Sequence, residues 1–323
     1  MEPVTFEVAP GVTAIDTFMG GRERYTAAYL LTASQPTLVE TGPGTSVEPV
    51  ARALETLGIA PDALAHIVLT HIHLDHAGGA GSLARRFPNA TVWVHERGAR
   101  HLADPSRLVA SATRVYGGER MASLFGPVEP VPAERLRVLD EAGPLDIGGR
   151  TLRALDTPGH ASHHLALVDS STGAVFTGDA LGIHVPDLPV LRPATPPPEF
   201  DLELAIASIE RIRAAAPSTL LFAHFGPIAD VDRTCELAVR RLREWTDVVR
   251  GAMRSTTDLD EIVEILTREA ARETVTGADA QLDLDRLETL AGVRMNAAGI
   301  ARYLTKRAER DAASGDGAGP QAS

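Results

Sequence analysis

The chain has 323 residues with 44% hydrophobic content, a globular composition that leaves ample material for a buried core. Its 31 basic and 43 acidic side chains give a formal charge of −12, which weighs against a nucleic-acid groove, since phosphate binding draws on clustered Lys and Arg. One cysteine, Cys235, excludes an intramolecular disulfide and a cysteine-built zinc site.

The opening MEPVTFEVAPGVTAID has no basic start followed by an apolar run, and no stretch reaches the roughly 20 apolar residues that span a bilayer. The expected location is the cytoplasm. VTFEV, VTAIDTF and YTAAYLLTA read as short strands punctuated by Pro10-Gly11 and Gly20-Gly21. TLVETGPG ends a strand in a Gly-rich turn, and SVEPVARALETLG is a predicted helix closing at Gly58. HIVLT is a buried-type strand, AGSLARRF a short helix and TVWVH the next strand. This alternation predicts an α/β fold with a sheet covered by helices.

Residues 97–127 read as helical with breaks, lying over the mouth of a site. LRVL, PLDIGGRTLRALDT and HLALVDSSTGAVFTGD return to strand, the last as a hairpin turning at Ser170 to Gly173. The Pro-rich stretch 181–200 cannot be a helix or central strand and is expected to be an ordered loop or lid. FDLELAIASIERIRAAA is a helix and STLLFAHFGP the last buried strand. Beyond Pro227, apolar residues recur at i+3/i+4 through Val231, Cys235, Ala238, Leu242 and Trp245, and again through Leu259, Ile262 and Leu266. The expected organisation is a catalytic domain over 1–230, a helical subdomain over 231–310 and a disordered tail over 311–323.

LTHIHLDHAGG places three of the chain's 11 histidines and one aspartate at the exit of a buried strand, where sheet enzymes commonly put their sites. In extended backbone His71 and His73 point the same way, while Asp75 and His76 follow where the chain turns toward a helix. Gly78 and Gly79 let backbone pass close behind. Imidazole nitrogen and carboxylate oxygen are the ligand set for Zn, Fe or Mn, and such a cluster is costly to desolvate without a cation.

HIHLDH resembles the HxHxDH signature of the metallo-β-lactamase superfamily, and LDTPGH, FTGDA and LLFAHFG follow in that family's order. The resemblance covers about residues 4–227 and implies a four-layer αββα sandwich, here with a C-terminal helical subdomain. It implies that His71, His73 and His160 bind one metal, that Asp75, His76 and His224 bind a second, and that Asp179 bridges them. Two dications against two carboxylates would leave an excess positive charge that holds a bridging hydroxide deprotonated. The implied activity is a dinuclear metal-dependent hydrolase, with zinc the expected metal and Fe or Mn as alternatives. The helices after His224 resemble in placement those of hydroxyacylglutathione hydrolases and related thioesterases, which favours a thioester, ester or lactone substrate.

Asp75 and Asp179 then carry catalysis, with His184 a candidate proton donor to the leaving group. Arg192, His164 and Tyr25 are candidates to grip substrate, as is Tyr29. Glu40, where relatives often carry Asp, is expected to support a ligand histidine. His66, His95 and His101 read as structural. Alternatives of other classes are a phosphodiesterase on a small nucleotide or RNA, an iron-dependent redox enzyme such as a persulfide dioxygenase using His71, His160 and Asp179, and a non-catalytic scaffold. The expected partner is a small molecule, with neither nucleic acid nor membrane involved and a homodimer through the C-terminal helices open.

Overall fold

The computed structural model describes residues 2–185, 190–271 and 280–315. Among these, β1 (Thr5–Ala9), β2 (Val12–Asp16), β3 (Ala27–Leu31), β4 (Thr37–Val39), β5 (His66–Val68), β6 (Thr91–Val94) and β7 (Leu136–Val138) lie side by side in chain order. Their first three junctions are antiparallel and their last three parallel. β8 (Leu145–Asp146), β9 (Thr151–Asp156), β10 (Leu165–Asp169) and β11 (Val175–Gly178) enter a second sheet. β12 (Ile183–His184) and β13 (Leu191–Arg192) pair with each other, and β14 (Leu220–Phe222) joins the second sheet parallel to β11. That sheet runs β14-β11-β10-β9-β8.

Inner strands such as β3 are buried on both faces, and their period of two sorts side chains into separate cores. In β3, Ala27, Tyr29 and Leu31 face the second sheet, where Leu152, Leu165, Leu167 and Phe176 meet them. Ala28 and Leu30 face the other way, onto α1 (Val47–Thr56) and, beyond α2 (Leu74–Ala77), onto α3 (Ala80–Arg86), through Val50, Leu54 and Leu83. The order of layers is therefore helix, sheet, sheet, helix.

β6 and β7 are joined by α4 (Glu96–Ala103), α5 (Ser106–Tyr116), α6 (Gly118–Arg120) and a π-helical turn at Met121–Phe125. The outer face of the second sheet is covered by α7 (Leu202–Ala214), α8 (Val231–Ala252) and α9 (Leu259–Ala270), followed by α10 (Ala280–Leu290) and α11 (Val293–Gly315). Val175, Leu220 and Phe222 share one core with Ile209 of α7, Cys235 and Trp245 of α8, Leu266 of α9 and Ile300 of α11. The expected C-terminal helices are present, and they pack with α7 onto the second sheet as the fourth layer. Cys235 is a fully buried packed thiol whose pKa is pushed by burial up to about 11. The expected tail is corrected in part, because helix continues to Gly315; residues 316–323 lie outside the described ones. Among the described residues no helix is long and apolar enough to cross a membrane.

At the strand ends remote from the histidines, an ion pair of the second sheet also reaches across to the first. Arg150 grips Asp169 through two contacts of 2.6 Å, and its Nη1 donates to the Gly11 carbonyl of the β1–β2 turn at 3.0 Å. Asp169 is fully buried; burial raises its pKa, but hydrogen bonds from Arg150 and Thr172 outweigh this and hold it below 3.8. A depressed carboxylate contributes stability above its unfolded pKa and loses it as pH falls through the folded value. Arg150→Ala strands the carboxylate and is expected to cost about 3–5 kcal/mol at neutral pH. Denaturant unfolding checks this: the difference from wild type should shrink as pH falls below about 4.

Candidate metal centre

The sheets place four loop tips at one rim. His71 and the short helix α2 follow β5, His160 follows β9, Asp179 follows β11 and His224 follows β14. The ligand-capable atoms form two groups, His71 with His73 and His160, and Asp75 with His76, Asp179 and His224. Within each group they lie within 4.8 Å of one another. The seven residues proposed as metal ligands are therefore brought together, divided as expected except that Asp179 falls in the second group. Its Oδ2 still lies 3.5 Å from His160 Nε2 and 4.0 Å from His71 Nε2, so it stands between both.

Hydrogen bonds orient the rings. His160 Nδ1 donates to the Ala194 carbonyl at 2.9 Å, and His224 Nδ1 to the Tyr25 carbonyl at 2.9 Å, so each Nε2 carries a lone pair inward. His71 Nδ1 meets Thr70 Oγ1 at 3.0 Å, leaving its Nε2 for the centre. His73 Nδ1 lies 3.1 Å from His71 Nε2 and 2.8 Å from His160 Nε2. Three ring nitrogens that close share at most a proton or two, and a cation among them satisfies all three.

In the second group His76 Nε2, Asp179 Oδ1 and His224 Nε2 are buried with no hydrogen-bond partner. Buried polar atoms of that kind are expensive unless something of opposite sign meets them. The donor set and the orphaned atoms both fit metal ions. The electrostatics agree: burial and neighbouring imidazoles hold His71 well below the usual histidine range, and burial followed by His160 and His163 lowers His73 to about 3. Neutral imidazole is the ligand form. His76 goes the other way, since Asp179 and Asp75 outweigh burial and raise it well above 6.5. The second group thus attracts positive charge, which a proton or a metal can supply.

A further shell holds the ligands in place. Glu40 has a left-handed φ of 65°; its Oε1 accepts from the Thr70 N–H at 3.2 Å and its Oε2 lies 3.7 Å from His76 Nδ1. Glu40 thus lies beside His76 without a hydrogen bond to it, its Oε2 being buried with no partner. His164, proposed to touch substrate, is instead fully buried behind Asp179. Its Nε2 accepts from the Asp179 backbone N–H at 3.1 Å, so its Nδ1 donates to Thr157 Oγ1 at 2.8 Å. At Gly178 an added Cβ would lie 2.5 Å from that same Nε2, so only glycine leaves room.

Other placements differ from expectation. Arg192 is 2% exposed and ion-paired to Glu288 of α10 at 2.6 Å, because its loop runs beneath the C-terminal helices, so it anchors them and does not reach the cavity. Tyr25 is buried, its hydroxyl accepts from Arg22 at 2.9 Å, and its contribution is the carbonyl that orients His224. The Tyr29 hydroxyl is spent on the Phe222 carbonyl. His184 pairs through Nδ1 with the Phe225 carbonyl at 3.1 Å and is not part of the cavity wall. His66 and His95 are structural, bonded to Trp93 and capping α4, whereas His101 lines the cavity.

Sequence reasoning missed Asn296. It accepts from the Thr195 N–H at 2.8 Å and from Thr195 Oγ1 at 2.6 Å, next to the Ala194 carbonyl that orients His160. At Gly299 a Cβ would sit 1.8 Å from the Thr195 carbonyl, so α11 must be bare there for the loop to seat. No local signal in the sequence joins positions a hundred residues apart.

The centre floors a cavity of about 790 Å³ walled by α4, α5, the Pro-rich loop and the α10–α11 corner. The family model for the metallo-beta-lactamase superfamily matches residues 21–224, and the chain belongs to that superfamily. It is 33% identical to the metallo-beta-lactamase fold-containing protein ST1585 of Sulfurisphaera tokodaii over 174 residues, 52% of this chain and 63% of that one. It is 28% identical to an atrochrysone carboxyl ACP thioesterase of Claviceps purpurea over 75% of this chain and 66% of that one. With a hydroxyacylglutathione hydrolase of Aeromonas hydrophila it shares 30% identity over 42% of this chain but only 39% of that enzyme. Among solved structures, the metallo-beta-lactamase family protein TTHA1429 of Thermus thermophilus superposes with a TM-score of 0.63 at 21% identity, covering 94% of this chain and 95% of that one. ST1585 superposes with a TM-score of 0.62 at 22% identity, over 86% and 93% of the two chains. These likenesses establish the fold.

His164→Ala leaves the buried Asp179 N–H without its acceptor while touching no ligand atom. It is expected to weaken metal binding by about 10–100-fold, measured by competition with a chromogenic chelator. Unchanged affinity in a folded variant would contradict the positioning role.

Proposed function

We propose that this protein is a dinuclear metal-dependent hydrolase of a carboxylic thioester or ester. The observation that carries the reading is the pair of ligand groups, oriented and partly orphaned, at the floor of a cavity sized for a small molecule. The names of similar proteins support it, since a thioesterase and a hydroxyacylglutathione hydrolase both act on thioesters.

His71, His73 and His160 would hold one ion, Asp75, His76 and His224 the other, with Asp179 between them. Metal ions in such a place supply an acidified water and polarise a carbonyl oxygen. The chain's residues do the rest. The Ala194 and Tyr25 carbonyls set the tautomers of His160 and His224, so ligand nitrogens need no reorganisation when an ion enters. Asp75, 21% exposed beside the cavity, is the second group's outermost carboxylate; His76 and His224 outweigh burial and hold it ionised, the form that binds a cation. Apolar side chains of α5 line the cavity beside the polar floor. Among metals, zinc is the choice for carbon-centred hydrolysis without redox chemistry.

Two variants test this, His71→Ala in one ligand group and Asp179→Ala between the groups. Each is expected to lose metal by elemental analysis and all measurable thioester turnover, with folding retained by circular dichroism. Full metal content with normal turnover would refute the ligand set. Turnover of a short phosphodiester but of no ester or thioester would refute the substrate class.

A further inference from the structure

The cavity has two unlike ends. On α5, Leu108, Ser111, Ala112, Val115 and Tyr116 all face it, an i, i+3, i+4, i+7, i+8 stripe. In an ordinary surface helix such a stripe is buried in the core, yet no residue of α5 is fully buried and Val115 is 54% exposed. Leu290 and Met295, at the corner of α10 and α11, line the same cavity. An apolar slot thus leads to the polar floor.

The other end is cationic. Arg97, Arg100 and His101 stand at i, i+3 and i+4 on α4, and Arg107 joins them from the first turn of α5. The three arginines are exposed, and none is ion-paired among the described residues. Arg97 donates to the Ser162 carbonyl at 3.2 Å, which holds it near His160, and Arg100 donates to His101 at 3.2 Å. Besides Asp75 and Asp179 of the floor, two carboxylates share the wall. Glu199 is already engaged by the Ser162 N–H at 2.9 Å and by His163 at 3.4 Å, and Glu96 is exposed one turn before Arg100. In a chain of net charge −12, three unpaired arginines around one cavity mouth call for an anion.

We propose that the substrate is a thioester whose acyl group is a medium-length apolar chain, seated along α5 and the α10–α11 corner, and whose thiol carrier bears phosphate, held by Arg97, Arg100 and Arg107. A multiply charged phosphate suits several planar guanidinium groups better than a single carboxylate does. The inference rests on the acyl-hydrolase reading, and names its substrate class.

The test compares kcat/KM for octanoyl-coenzyme A, acetyl-coenzyme A and the neutral thioester octanoyl-N-acetylcysteamine on metal-loaded protein. Wild type should prefer the first over each of the others by at least about tenfold. Val115→Glu, an exposed position that tolerates charge, should cut the octanoyl-to-acetyl ratio at least about tenfold. Arg100→Glu with Arg107→Glu should cut the coenzyme A-to-N-acetylcysteamine ratio by about the same factor. Ratios within twofold of wild type would overturn the corresponding half. Desulfo-coenzyme A has no thioester to cleave and gives a second readout by calorimetry. Binding that the double arginine variant weakens supports the cationic subsite even where no thioester is turned over, in which case the hydrolase reading alone fails. Absence of binding to wild type overturns the subsite.

Discussion

Five imidazoles and two carboxylates converge at one rim of the two sheets, with ring nitrogens 2.8–3.1 Å apart in the first group. Lone pairs at that spacing repel, and water is excluded from most of them. The arrangement stands because strands from both sheets force it, and a shared cation converts repulsion into attraction. The rest of the molecule follows from that demand. Thr70 and the carbonyls of Tyr25 and Ala194 each bond a ring nitrogen and turn the other one inward, while Glu40 and His164 hold the backbone N–H groups of Thr70 and Asp179.

The C-terminal helices belong to the same construction. They close the outer core through Trp245, Leu266 and Ile300, and they reach the centre through a short chain of contacts. Asn296 clasps Thr195, and the adjacent Ala194 carbonyl orients His160. Arg192, buried beneath them, is bonded to Glu288. The same helices supply part of the cavity wall, so the element that shapes the cavity also steadies the His160 ring.

Much of this was legible in the sequence, for a physical reason. Strand exits are marked by apolar runs ending in Gly, Asp or His, so HIHLDH, TPGH, TGD and AHFG could each be placed at a rim before their partners were known. Period-two apolar strands and i+3/i+4 helices likewise gave the layers. What could not be read was which polar residue spends its hydrogen bonds where. Arg192, His164 and Tyr25 have side chains fit for gripping substrate, but burial and pairing assign them to holding the structure. His101 looked structural and proved to line the cavity.

Local pattern and residue chemistry determined the superfamily, the strand and helix order and the identity of the residues at the centre. Those depend on neighbours a few positions apart, which a linear string contains. Only the tertiary structure decided that Asp179 leans to the second group and that Asn296 reaches the His160 loop. It alone joined the apolar stripe of α5 and the arginines of α4 in one cavity. Each of these depends on distances between segments far apart in the chain, set by how the two sheets and their helices pack.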